Sequence, residues 1–124
     1  MNFHSDGSRP IFVFGSNLAG RHGKGAAKVA YHLYGAEYGQ GLGYCRASYA
    51  IPTKDEKLQP LPLWKIKEYI DTFVSDAQKS PLLHFHVTRI GCGLAGFKDE
   101  EIAPMFKPAL PNCSYPKEWE KYLT

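Results

Sequence analysis

Residues 11–28, IFVFGSNLAGRHGKGAAK, constrain the fold more than any other stretch of the chain. Ile11 to Phe14 are a short apolar run of the kind that forms a buried strand. Gly15, Ser16 and Asn17 end the run with turn formers, and Gly20, Gly23 and Gly25 follow in a loop. Ala26, Ala30 and Leu33 then recur at helical spacing among good helix formers. A strand that passes through a glycine loop into a helix N-terminus can hold an anion. The first backbone N–H groups of the helix lack partners, and the helix dipole favours negative charge there. Glycines let the backbone approach such a ligand closely. The spacing matches neither GxxxxGK[ST] nor a GxGxxG opening directly from the strand, so a flexible surface loop remains the plainer alternative.

The pattern recurs near the other end of the chain. Residues 82–90, LLHFHVTRI, read as a strand, with Leu83, Phe85 and Val87 alternating against His84, His86 and Thr88. A second glycine loop follows at residues 91–97, GCGLAGF, and Asp99 reads as the N-cap of a helix with Glu100 and Glu101 in its first turn. Pro104 predicts that this helix is short or distorted.

Between the two loops, a helix over residues 25–34 ends at Gly35, and residues 37–43 read as a mobile glycine-rich loop. Residues 44–51 read as a strand ended by Pro52. Pro62 suits the first turn of the clearest helix, in which Leu63, Ile66, Ile70, Phe73 and Ala77 form one apolar stripe. Pro81 ends it. Residues 112–115 form a last short strand and residues 117–123 a terminal helical turn, while residues 1–10 read as a loose lead-in. The order β-α-β-α-β-α-β predicts one α/β domain over residues 1–124, with a largely parallel or mixed sheet. Both glycine loops leave the carboxyl end of a strand, where open α/β sheets bind ligands, and together they could clamp a pyrophosphate.

Composition narrows the partner. A length of 124 residues suffices for one core but not two. A net charge of +3 suits an anionic ligand but falls short of the dense basic patch of a duplex-binding protein. The 3 cysteines, Cys45, Cys92 and Cys113, are far apart and without CxxC spacing. Neither a disulfide framework nor a zinc site is expected, which fits a reducing compartment. The first residues contain no signal-peptide core, and no apolar run approaches the roughly 20 residues of a membrane span. A cytoplasmic location follows as the expectation.

Three segments, in this order, resemble the macro domain, and the likeness runs from about Ile11 to Leu110. Gly15-Ser16-Asn17 followed by Gly23-Lys24-Gly25-Ala26-Ala27 is similar to the ligand-contacting Asn and first phosphate loop of that family. Ile51-Pro52-Thr53-Lys54 resembles the Pro-Thr-Lys stretch of the branch that removes ADP-ribose from DNA bases or acidic side chains. Arg89-Ile90-Gly91-Cys92-Gly93-Leu94 resembles that branch's second loop and is the most specific of the three. In length the chain is similar to small macro-like proteins of bacteriophages, which would place it in the host cytoplasm.

The resemblance implies a three-layer α/β/α sandwich that binds ADP-ribose or a related NAD-derived nucleotide, without a metal or a resident cofactor. The implied binding residues are Asn17, Gly23, Lys24, Gly25 and Ala26 in loop one. In loop two they are Gly91, Cys92, Gly93, Leu94, Ala95, Gly96 and Phe97. In the hydrolytic branch a lysine attacks the distal ribose and an acidic residue helps open the ring. Lys54 stands at the lysine position, but Ala95 stands at the acidic one. Three functions follow as expectations: a nucleotide-binding domain, an ADP-ribosyl hydrolase with Lys54 as nucleophile, and a phage protein that sequesters a host signalling nucleotide or blocks a defence protein. Nucleic acid enters only as a modified substrate. The oligomeric state is not legible.

Several of these residues have plainer roles. Lys54 as a nucleophile must be neutral, which takes burial or a neighbouring cation, and Asp55 and Glu56 beside it would act the other way. It can equally be a solvated loop lysine or a phosphate contact. Asn17 can hydrogen-bond a ribose hydroxyl or shape a turn. Cys92, next to a helix N-terminus, sits where thiols become acidic, but small-residue packing against the ligand is its favoured role. His84 and His86 form an HxH pair without a third metal ligand nearby. Phe97 and Tyr44 can stack on a base or belong to the core. Arg21, His22 and Lys24 can supply charge to phosphates.

Overall fold

A computed structural model describes residues 10–124. The reading of the first residues as a loose lead-in falls on residues 1–9, outside the described part, and Pro10 already belongs to the first strand.

The sheet has the order β2-β3-β1-β4-β5. Its strands are β1 (Pro10–Asn17), β2 (Gly43–Cys45), β3 (Ser48–Lys54), β4 (His84–Val87) and β5 (Cys113–Ser114). All neighbouring pairs are parallel except β2 with β3. The helices are α1 (Gly25–Leu33), α2 (Leu63–Gln78), α3 (Asp99–Ile102) and α4 (Glu120–Leu123).

The pleat of β1 divides the core in two. Ile11 and Val13 point to the face that α2 covers with Ile66, Ile70, Phe73 and Ala77. Phe12 and Phe14 point to the opposite face, beneath Ala27 and Ala30 of α1. The result is the expected three-layer α/β/α sandwich, since alternate residues of a strand buried on both faces serve two separate helix layers. The stripe on α2 is the one its sequence predicts, except that Leu63 is only partly buried.

Three expectations need correction. Residues 44–51 are not one strand. Arg46 adopts φ 54 and turns the chain, so β2 and β3 form a hairpin with Tyr44 opposite Tyr49. β3 then continues through Pro52 to Lys54. Beyond Ala50 it has left β2 behind, so a residue without an N–H is tolerated there. The strand expected over residues 82–90 is confined to β4. Leu82 is 88% exposed, and Leu83 belongs to a turn whose N–H bonds to the Ser80 carbonyl. Finally, Lys98 rather than Asp99 occupies the N-cap of α3, where Glu101 accepts the Lys98 N–H. Asp99 is the first helical residue, its carboxylate taken up by Arg89 and Trp119. As Pro104 predicts, α3 is short and passes into a 3₁₀ turn, Ala103–Phe106.

The glycine-rich residues 37–43 do not stand free. Gly39 N–H bonds to the Gly20 carbonyl at 2.9 Å, and Ser16 Oγ donates to the Gly41 carbonyl. No helix among the described residues is long and apolar enough to cross a membrane.

Candidate functional site

A cleft of about 730 Å³ opens at the carboxyl edge of β1, β3 and β4. Its size is that of a small-molecule site. The floor is Gly15 and Ser16 of β1, flanked by Thr53 and Lys54 at the end of β3 and by Ile90 and Gly91 after β4. Gly15 lets the second loop lie against the sheet: a Cβ there would meet the Gly91 nitrogen at 3.3 Å.

Loop one, from Asn17 to Gly25, forms one wall. The Asn17 amide is engaged at both ends, accepting from the Arg21 N–H at 2.9 Å and donating to the Arg21 carbonyl at 2.9 Å. Asn17 thus lines the cleft while closing the loop on itself. His22 is fully buried behind the loop, edge-on to Phe14 and bonded through Nε2 to the Glu37 carbonyl. It anchors the loop and is no part of the cleft lining. Among the described residues no side chain caps the N-terminus of α1, so the amides of its first turn are open to the wall formed by Lys24, Gly25 and Ala26.

Loop two forms the opposite wall. Gly91 takes φ 77, which a glycine permits and a side chain would strain. Cys92 N–H bonds to the Arg89 carbonyl and Phe97 N–H to the Gly91 carbonyl. Among the described residues, no acceptor is found for the backbone N–H groups of Gly93, Leu94 and Ala95. The two loops approach each other where a Cβ on Gly25 would lie 3.6 Å from Leu94 Cδ1.

The charge of the lining is one-sided. Arg21, Lys24, Lys54 and Arg89 line the cleft, and no aspartate or glutamate does so among the described residues. Among the described residues, Arg89 alone of the four is in an ion pair, with Asp99 at 2.8 Å and Glu118 at 3.7 Å. The guanidinium of Arg89, followed by the Trp119 indole, holds the Asp99 carboxyl below its usual range. Burial, followed by a hydrogen bond with Asp99, pushes the Cys92 thiol up to about 12. Such a thiol is protonated at neutral pH and is no nucleophile. Asp55 is turned into its own loop, accepting from the N–H groups of Lys57 and Gln59.

Of the residues the sequence singles out, the cleft brings together Asn17, Gly23, Lys24, Gly25, Ala26 and Lys54 on one side. From loop two it includes Gly91 through Ala95. Gly96 and Phe97 lie outside the lining. Phe97 packs on the main core instead, because the bond from its N–H to Gly91 turns it inward. Tyr44 sits edge-on to Tyr49 at 4.7 Å, away from the cleft. His84 bonds to Ser114 Oγ, and among the described residues no group of three or more His, Cys, Asp or Glu could hold a metal. All three cysteines are free. Leu58 and Thr88 also line the cleft, and sequence reasoning misses both. Nothing in the sequence marks Leu58, whose φ of 64 is set by the fold of its turn.

The fold is an α/β sandwich of macro-like architecture. Among solved structures, the chain is similar to Thermosipho africanus DarTG in complex with ADP-ribose, with a TM-score of 0.57 and 19% identity. The likeness covers 90% of this chain and 39% of that one. No family profile matches the sequence, and no curated protein matches it.

Proposed function

We propose that the cleft binds ADP-ribose or a closely related nucleotide diphosphate and holds it without cleaving it. The observation that carries the reading is the charge of the lining: Arg21, Lys24, Lys54 and Arg89 line the cleft, and among the described residues no carboxylate does. A pyrophosphate between the two loops would meet cations together with the open amides of α1 and of Gly93, Leu94 and Ala95. The likeness to a structure that holds ADP-ribose supports the same choice of ligand. The binding residues are those of the two loops that line the cleft, with Lys54 as a phosphate or sugar contact.

The absence of a carboxylate from the described lining also favours binding over turnover. Positioned general acid–base groups contribute about 10²–10⁴-fold to a rate. Ala95 supplies none, and Asp99 is already held by Arg89 and Trp119. A hydrolase reading rests on Lys54, which lines the cleft and forms no ion pair among the described residues. A site that holds a nucleotide intact suits sequestration of a signalling nucleotide, in a phage-infected host or elsewhere.

Incubation with ADP-ribose, and separately with ADP-ribosylated DNA and protein, distinguishes the readings. Heating the complex should return ADP-ribose chemically intact, and the modified substrates should keep their ADP-ribose. Release of ADP-ribose from either substrate, abolished by Lys54→Ala, would instead establish the hydrolase.

A further inference from the structure

The cleft mouth carries two exposed leucines among its cations. Leu94 is 63% exposed and Leu58 37%, and both line the cleft. They reach it from opposite flanks: Leu58 from the loop after β3, Leu94 from the loop after β4, with β1 between those strands.

The Leu58 loop is closely tied. Asp55 Oδ1 accepts from Lys57 N–H at 2.8 Å and from Gln59 N–H at 2.9 Å. Asp55 N–H bonds to the Gln59 carbonyl and Leu58 N–H to the Asp55 carbonyl. Lys54 and Pro60 bridge at its base. At its tip Leu58 adopts φ 64, a left-handed conformation that glycine or asparagine would take with less strain. The turn therefore holds a leucine in a strained conformation at the cleft, with about a third of its surface, 37%, in water. That surface loses its contact with water only when something apolar covers it from the cleft side.

We propose that Leu58 is a specificity-determining residue: opposite Leu94, it packs on an uncharged ring of the bound nucleotide, sugar or base, while the cations and open amides hold the phosphates. This rests on the nucleotide reading above. It assigns the ring contact to a side chain and the phosphate contact to backbone and charge.

Titration of the full chain with ADP-ribose tests it. Leu58→Gly suits φ 64, so the variant should melt no lower than wild type while binding about tenfold more weakly through loss of the leucine surface. Leu58→Met keeps the apolar bulk and should bind within about threefold of wild type. Unchanged affinity in Leu58→Gly would overturn the role of Leu58 and leave the nucleotide site standing. Leu58→Met binding as weakly as Leu58→Gly would overturn it too, since loop shape and not apolar contact would then be at stake. A wild-type chain that does not bind ADP-ribose would overturn the site itself.

Discussion

Trp119 and Asp99 are joined by a 2.7 Å hydrogen bond from the indole Nε1–H to the carboxylate Oδ1. Trp119 is fully buried, so the bond ties the last turns of the chain to the start of α3. The same carboxylate receives Arg89, a cleft residue, at 3.1 and 2.8 Å. One aspartate thus fastens the cleft wall to the far end of the sequence.

Removing that aspartate should destabilise the fold. Asp99→Ala leaves the buried indole N–H without its acceptor and should cost about 1–3 kcal/mol in denaturant melts. Asp99→Asn isolates the charge. Because Arg89 holds the Asp99 carboxyl below its usual range, the charged form contributes stability above the ordinary aspartate pKa, and that contribution disappears as pH falls through the depressed folded value. Wild type should therefore exceed Asp99→Asn in stability at pH 7, and the gap should narrow below about pH 4. A gap that is constant with pH would mean the charge is not what matters.

Gly41 gives a second prediction, on loop one from a distance. A Cβ at Gly41 would lie 2.1 Å from the Asn17 carbonyl oxygen, and that oxygen also accepts the Gly20 N–H. Gly41→Ala must displace the loop and should lose about 1–3 kcal/mol of stability, with weaker ADP-ribose binding. Gly93 is the matching control, since a Cβ there meets nothing within 4 Å. Gly93→Ala should melt within about 0.5 kcal/mol of wild type. Equal melting of the two variants would show that the 37–43 segment does not support loop one.

What the sequence makes legible follows from the physics of each signal. The α2 stripe and the strand–glycine loop–helix units are local patterns, and α1, α2 and both cleft loops stand where those patterns put them, while β1 runs on past Phe14 through the expected turn formers Gly15 and Ser16 to Asn17 because they pair with β3. The β2–β3 hairpin is hidden because its turn rests on Arg46 in a left-handed conformation, with no Gly or Asn to announce it. The true place of Asp99 is hidden as well. A residue in the capping position before a helix reads as a cap, and only the fold brings Arg89 and Trp119 to it. Leu58 belongs with these, an ordinary leucine made a cleft residue by a turn. Phe97 shows the reverse error, a loop aromatic that local sequence cannot assign to core or ligand.

Charge at the cleft gives a third prediction. Ala95→Asp adds a carboxylate to a lining that has none among the described residues, and should weaken ADP-ribose binding by about 1 kcal/mol in low salt. Lys54→Ala removes a cation from the same lining and should also weaken it, with the deficit shrinking as salt is raised. If Lys54 is aimed as a nucleophile, Ala95→Asp should in addition gain hydrolysis that the Ala95→Asp/Lys54→Ala double variant loses. If Ala95→Asp changes neither affinity nor rate, loop two is not beside the ligand.

Isothermal titration of the wild-type chain with ADP-ribose, repeated at low and high salt, tests the central claim most directly. Saturable binding at one site, weakening as salt rises and with the ligand recovered intact, is the predicted result. No heat and no thermal shift with ADP-ribose, NAD or AMP at low salt would contradict it.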